Sequence, residues 1–138
     1  MSKDVIQRKM VDISRYLVDL QTILKYSASD IVKDPLKLHT IERLFQLIVD
    51  ASIDINTHII ASKKLAVVDD YQSTFISLGE NGIVPMKFAV KIAPAVGLRN
   101  RVVHRYGDVR LTKMISDIKH GIKDFDQYLK YMSRFLEK

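Results

Sequence analysis

Apolar residues in this chain recur at alternating steps of three and four, a period that fits α-helix and excludes a half-buried strand. In the first segment Ile6, Met10, Ile13, Leu17, Leu20 and Leu24 follow it. Leu111, Ile115, Ile118, Ile122, Phe125, Leu129, Met132 and Leu136 repeat it at the other end. Each segment reads as a long amphipathic helix with one apolar stripe, the pattern of an antiparallel bundle. Asp34-Pro35 is a helix start, because Asp accepts from free N–H groups and Pro suits the first helical position. The helix that follows carries Leu38, Ile41, Leu44, Ile48, Ile55 and Ile59 and is predicted to run to about Lys64 as a central element. Asp69-Asp70 caps a short helix through Leu78, residues 79–85 form a loop, and a further helix runs from Met86 towards Leu98, strained by Pro94 and Gly97. Asp108 is the expected N-cap of the last helix. The fold class is therefore all-α, an antiparallel four-to-five-helix bundle with residues 1–138 as a single domain.

Composition narrows the setting. A chain of 138 residues that is 47% hydrophobic and 28% charged can bury a core. The absence of cysteine excludes disulfides, thiolate metal sites and thiol catalysis, and suits a reducing compartment. No apolar run suggests a signal peptide or a membrane span, so a soluble cytoplasmic protein is expected. The formal net charge of +6 favours polyanionic partners. Its distribution matters more than its sum, since Arg99, Arg101, Arg105 and Arg110 fall in one short window.

That window holds the candidate chemistry. Arg99-Asn100-Arg101-Val102-Val103-His104-Arg105-Tyr106 follows a mostly apolar helical segment. Guanidinium groups bind phosphate oxygens bidentately, and an imidazole moves protons near neutral pH. Together they suit cleavage of a phosphodiester with no metal or cofactor. On an unbroken helix Arg99 and His104 would stand about 140° apart. Either the helix ends inside the motif, which Gly97 and Gly107 allow, or a second copy of the chain completes the site. On residue types alone, a solvated basic turn between two helices explains the same segment. Asp50, Asp54 and His58 share a face of the central helix and have metal-ligand chemistry, though a polar stripe accounts for them equally well. His39 and His120 read as surface groups.

The order and spacing Arg99-Asn100-x-x-x-His104-x-Tyr106 resembles the signature of HepT-like HEPN proteins, and the size and helix order of the whole chain agree. That resemblance implies a metal-independent endoribonuclease toxin, paired with a cognate MNT-type nucleotidyltransferase antitoxin and acting as a homodimer on RNA, tRNA or mRNA. It implies Arg99 and His104 as catalytic, Asn100 as supporting and Arg101 and Arg105 as phosphate contacts. Tyr106 becomes the acceptor of AMP from the antitoxin. The run Glu42-Arg43-Leu44-Phe45-Gln46 with Asp54-Ile55 resembles the family's second helix, making Asp54 a candidate support for the active-site region. Two rivals remain: a non-catalytic nucleotide-binding or scaffold partner of a nucleotidyltransferase, and a helical interaction module without nucleotide chemistry.

Overall fold

Length, capping and burial fix the helices in turn. The computed structural model describes residues 2–104 and 110–138. Among them are seven helices and no strand: α1 (Lys3–Ile23), α2 (Ala28–Lys33), α3 (Pro35–Ser62), α4 (Tyr71–Glu80), α5 (Met86–Ile92), α6 (Ala95–Val103) and α7 (Leu111–Glu137). Four starts are capped by side chains: Ser2 accepts from the Val5 N–H, Ser27 from Asp30, Asp34 from Leu36 and Lys37, and Asp70 from Ser73. Each such cap satisfies backbone donors that a helix cannot pair internally. The hydrogen bond from Lys37 holds the Asp34 carboxyl below its ordinary range, so this cap is ionised at neutral pH.

Three long helices set the architecture. Lys9 pairs with Asp54 and the Ser2 N–H donates to His58, so residue numbers rise on α1 as they fall on α3, and the two are antiparallel. Gln21 to Asp126, and Lys119 to the Tyr26 carbonyl, make α1 antiparallel to α7 as well. The remaining side of α3 is covered by α4 and α6, and α2 packs against both α3 and α7. This is the bundle expected from the apolar period. Twelve residues of α3 are buried, including Ile41, Phe45, Ile48, Ile55 and Ile59. It is long and apolar enough to cross a membrane, but its burial among the other helices identifies it as a core helix. Burying each of its large apolar side chains contributes roughly 1.5–3 kcal/mol.

The structure corrects the sequence reading in three places. The helix predicted over Met86–Leu98 is two helices, because Pro94 has no N–H to donate and its ring crowds the preceding turn. α5 ends at Ile92, and α6 starts after Pro94 and runs through Gly97 to Val103. Helix α2 is absent from the sequence reading. On α7 the fully buried position is Tyr128 rather than Leu129. Arg110 occupies the N-cap of α7 without a side-chain bond. The expected Asp108 cap lies outside the described residues, as do Arg105, Tyr106 and Gly107.

The α4–α5 corner depends on two glycines. A Cβ on Gly79 would lie 2.7 Å from the Cβ of Ala89, so the absent side chain permits the close approach of α5. Gly82 adopts φ +70, a conformation other residues rarely take.

Polar groups enter the core at one cluster. The Tyr128 hydroxyl lies 2.6 Å from Asn56 Oδ1 and 3.1 Å from the Ser52 carbonyl, and Asn56 Nδ2 donates to Thr74 Oγ1 at 3.1 Å. Burial pushes the Tyr128 phenol well above its ordinary pKa, so it stays a neutral donor. This network joins α3, α4 and α7 and leaves no buried side-chain polar atom unpaired among the described residues. Asn56→Ala is expected to strand the Tyr128 hydroxyl and cost about 2 kcal/mol. Urea denaturation should show a lowered midpoint at unchanged slope.

Candidate functional site

The basic segment sits on α6, at the point where that helix meets the middle of α3. Val96, Leu98 and Val102 bury the inner face of α6, which leaves Asn100, Arg101, Val103 and His104 on the outside. Arg99 falls on the boundary and turns towards α3. Its Nε donates to Asp50 Oδ1 at 2.8 Å, and Nη2 approaches the same oxygen at 2.6 Å. Its Nη1 donates to Asn100 Oδ1 at 2.6 Å. The Arg99 side chain is only 17% exposed, so this is a half-sheltered, charge-assisted clamp. With the fork held from two sides, its remaining donors point in a fixed direction.

Helix α6 ends at Val103, inside the Arg99–Tyr106 stretch, as one of the two anticipated arrangements required. His104 is the C-cap. Its N–H still bonds the Asn100 carbonyl at 2.9 Å, while its own backbone leaves the helix at φ −109, ψ 54. The imidazole is exposed at the end of the helix, about 7.5 Å further along the axis than Arg99. Arg101 and Arg110 are also exposed. Arg105 and Tyr106, the remaining members of the motif, lie outside the described residues.

Asp50 lies far from the basic segment in sequence, yet it is the residue that holds Arg99. The sequence offered Asp50, Asp54 and His58 as one stripe, and the structure gives each a different partner. Asp50 holds Arg99, Asp54 pairs with Lys9 of α1, and His58 accepts from the Ser2 N–H. Asp54, the candidate support for the site, is thus turned to α1 instead. One signal in the sequence could have separated them. Asp50 is the only charged residue between Leu44 and Ile53, and such a carboxylate needs a cation within reach. His39 pairs with Glu42, and His120 contacts the Ser116 carbonyl within its own helix, so both are surface groups as expected.

The fold has counterparts among solved structures. The bundle superposes on the tri-AMPylated Shewanella oneidensis HEPN toxin, solved in complex with its MNT antitoxin, with a TM-score of 0.86. That likeness covers 97% of this chain and 99% of the other at 24% identity. A cytosolic protein of unknown function from Bacillus subtilis, YutE, gives a TM-score of 0.84 at 13% identity, over 99% of this chain and 92% of that one. The fold class is therefore an all-helical bundle of the kind seen in both of these proteins.

Sequence similarity goes further. The family model described as Ribonuclease HepT-like matches residues 13–132. The tRNA nuclease HepT of Aphanizomenon flos-aquae is 33% identical over 132 residues, covering 96% of this chain and 90% of that one. The mRNA nuclease HepT of Shewanella oneidensis is 25% identical over 126 residues, covering 91% and 94% respectively. The chain belongs to the Ribonuclease HepT-like family.

The clamp makes a physical prediction independent of any activity. In a nitrogen-detected NMR spectrum, Arg99 Nε–H should give a slowly exchanging signal, because Asp50 shelters it. Asp50→Ala should remove that signal while the core resonances stay in place.

Proposed function

We propose that this chain is a metal-independent endoribonuclease, the toxin of a HEPN/MNT toxin–antitoxin pair, acting in the cytoplasm as a homodimeric single domain. The observation that carries this reading is the Asp50–Arg99–Asn100 clamp, next to a histidine placed where α6 ends. Arg99 holds the scissile phosphate and stabilises the charge gained in the transition state. His104 acts as general base: it takes the proton of the 2′-hydroxyl as that oxygen bonds to phosphorus. The bond from phosphorus to the 5′-oxygen breaks, and the leaving oxygen takes a proton from the imidazolium of the second motif in the homodimer. The nucleophile comes from the substrate, so RNA is cut and DNA is spared.

Asn100 supports the reaction by orienting Arg99. Arg101, with Arg105, binds neighbouring phosphates. Asp50 is a positioning residue that fixes the guanidinium and touches no substrate. Curated relatives named for tRNA and for mRNA cleavage support RNA as the substrate class, with the target depending on the individual protein.

Purified protein should cut RNA in the presence of EDTA. His104→Ala should lower the rate on the order of 100-fold or more, and Arg99→Ala should do at least as much damage. Undiminished cleavage by His104→Ala would overturn the assignment.

Tyr106 is proposed as the site at which the antitoxin adds AMP. The adenylyl group brings bulk and a negative phosphodiester beside the arginines, where it competes with RNA. Incubation with the cognate nucleotidyltransferase and ATP should add AMP units to the wild-type chain, abolish cleavage, and leave Tyr106→Phe unmodified and active. A modified Tyr106→Phe protein would move the site elsewhere.

A further inference from the structure

Beside the clamp the surface opens into a recess of about 480 Å³, between the start of α4 and the outer side of α6. Asn100, the residue that orients Arg99, forms part of its wall. Gly97 lies one turn earlier on the same wall, and its missing side chain keeps the space open. A Cβ built there would sit 3.8 Å from Arg101 Nη1, which places the Arg101 guanidinium at the rim.

The opposite wall has different chemistry. Tyr71 is 57% exposed and forms a ridge between this recess and a second, more apolar one of about 460 Å³. Its backbone carbonyl accepts from Thr74 Oγ1, and its side chain makes no hydrogen bond among the described residues. Next to it stand the Gln72 amide and the carboxylate of Asp69. Asp70 already accepts the Ser73 N–H, a bond that holds its carboxyl below the ordinary range.

This split in polarity selects the occupant. A phosphate is drawn to Arg99 and Arg101 and repelled by Asp69 and Asp70. A nucleobase suits the recess better, since it offers a flat face to a tyrosine ring and N–H donors to carboxylate and amide oxygens. We infer that the recess binds the base of the nucleotide flanking the phosphate held at Arg99, stacked on Tyr71 with its edge read by Gln72 and Asp69. This inference rests on the endoribonuclease reading. It specifies an unstacked, single-stranded segment as the place of cutting, because a paired base cannot turn into the recess.

The test uses RNA oligonucleotides with one abasic nucleotide next to the cleavage position. The wild-type protein should cut these on the order of 10-fold less efficiently than intact RNA, mainly through KM. Tyr71→Ala should cut intact RNA at that reduced efficiency and show no further abasic loss, whereas Tyr71→Phe should behave as wild type. Gly97→Leu, which fills the recess from the α6 side, should reproduce the Tyr71→Ala behaviour. A full abasic penalty retained in both Tyr71→Ala and Gly97→Leu would overturn the base site and leave the nuclease standing. Failure of the wild-type protein to cut any RNA would bring down both.

Discussion

The burial of α3 among its neighbouring helices is the constraint from which the rest of this structure follows. A helix with twelve buried residues tolerates little sliding, because each displaced side chain would open a void on one side and a clash on the other. Apolar contacts alone are poorly directional, however, and the buried Asn56 supplies direction. Its amide must meet both the Tyr128 hydroxyl and Thr74, so α3, α4 and α7 have one relative register in which all three polar groups are satisfied.

That register reaches the site. Asp50 lies six residues before Asn56 on the same helix, about 9 Å along its axis. Fixing the one fixes the other, and Asp50 in turn decides where the Arg99 fork points. The site is therefore only partly a property of the segment that carries its signature. Arginine and histidine come from α6 and its C-cap, while the orientation of the arginine is set by a carboxylate remote in sequence and supported by the core.

Legibility followed the range of the interactions involved. The stripes of α1, α3 and α7 were readable because helices of 21, 28 and 27 residues impose a long, redundant period. The caps Asp34 and Asp70 were readable because they act on their own neighbours. Helix α2 was not, since six residues with one buried side chain, Ile31, carry no period at all. Pro94 reads in the sequence as strain within one helix, because residue type alone does not distinguish a bend from a break. The missing N–H and the ring of Pro94 break the chain into two helices, with α5 ending at Ile92 and α6 starting at Ala95. Asp50 was hidden for a different reason. Its partner is 49 positions away, and the apolar stretch around Asp50 calls for a cation without saying which one.

The interruption at Pro94 has a consequence for how such a protein can change. Because α5 and α6 share no continuous backbone ladder, the short helix bearing Arg99 is joined to its predecessor by a joint rather than a rod. Its tilt is set by what it leans on, through Val96, Leu98 and Val102 on one side and the Asp50 carboxylate on the other. Substitutions at those few contacts can re-aim the cationic end by small rotations while the scaffold behind it stays as it is. The direction of that end can in this way be varied without rebuilding the bundle.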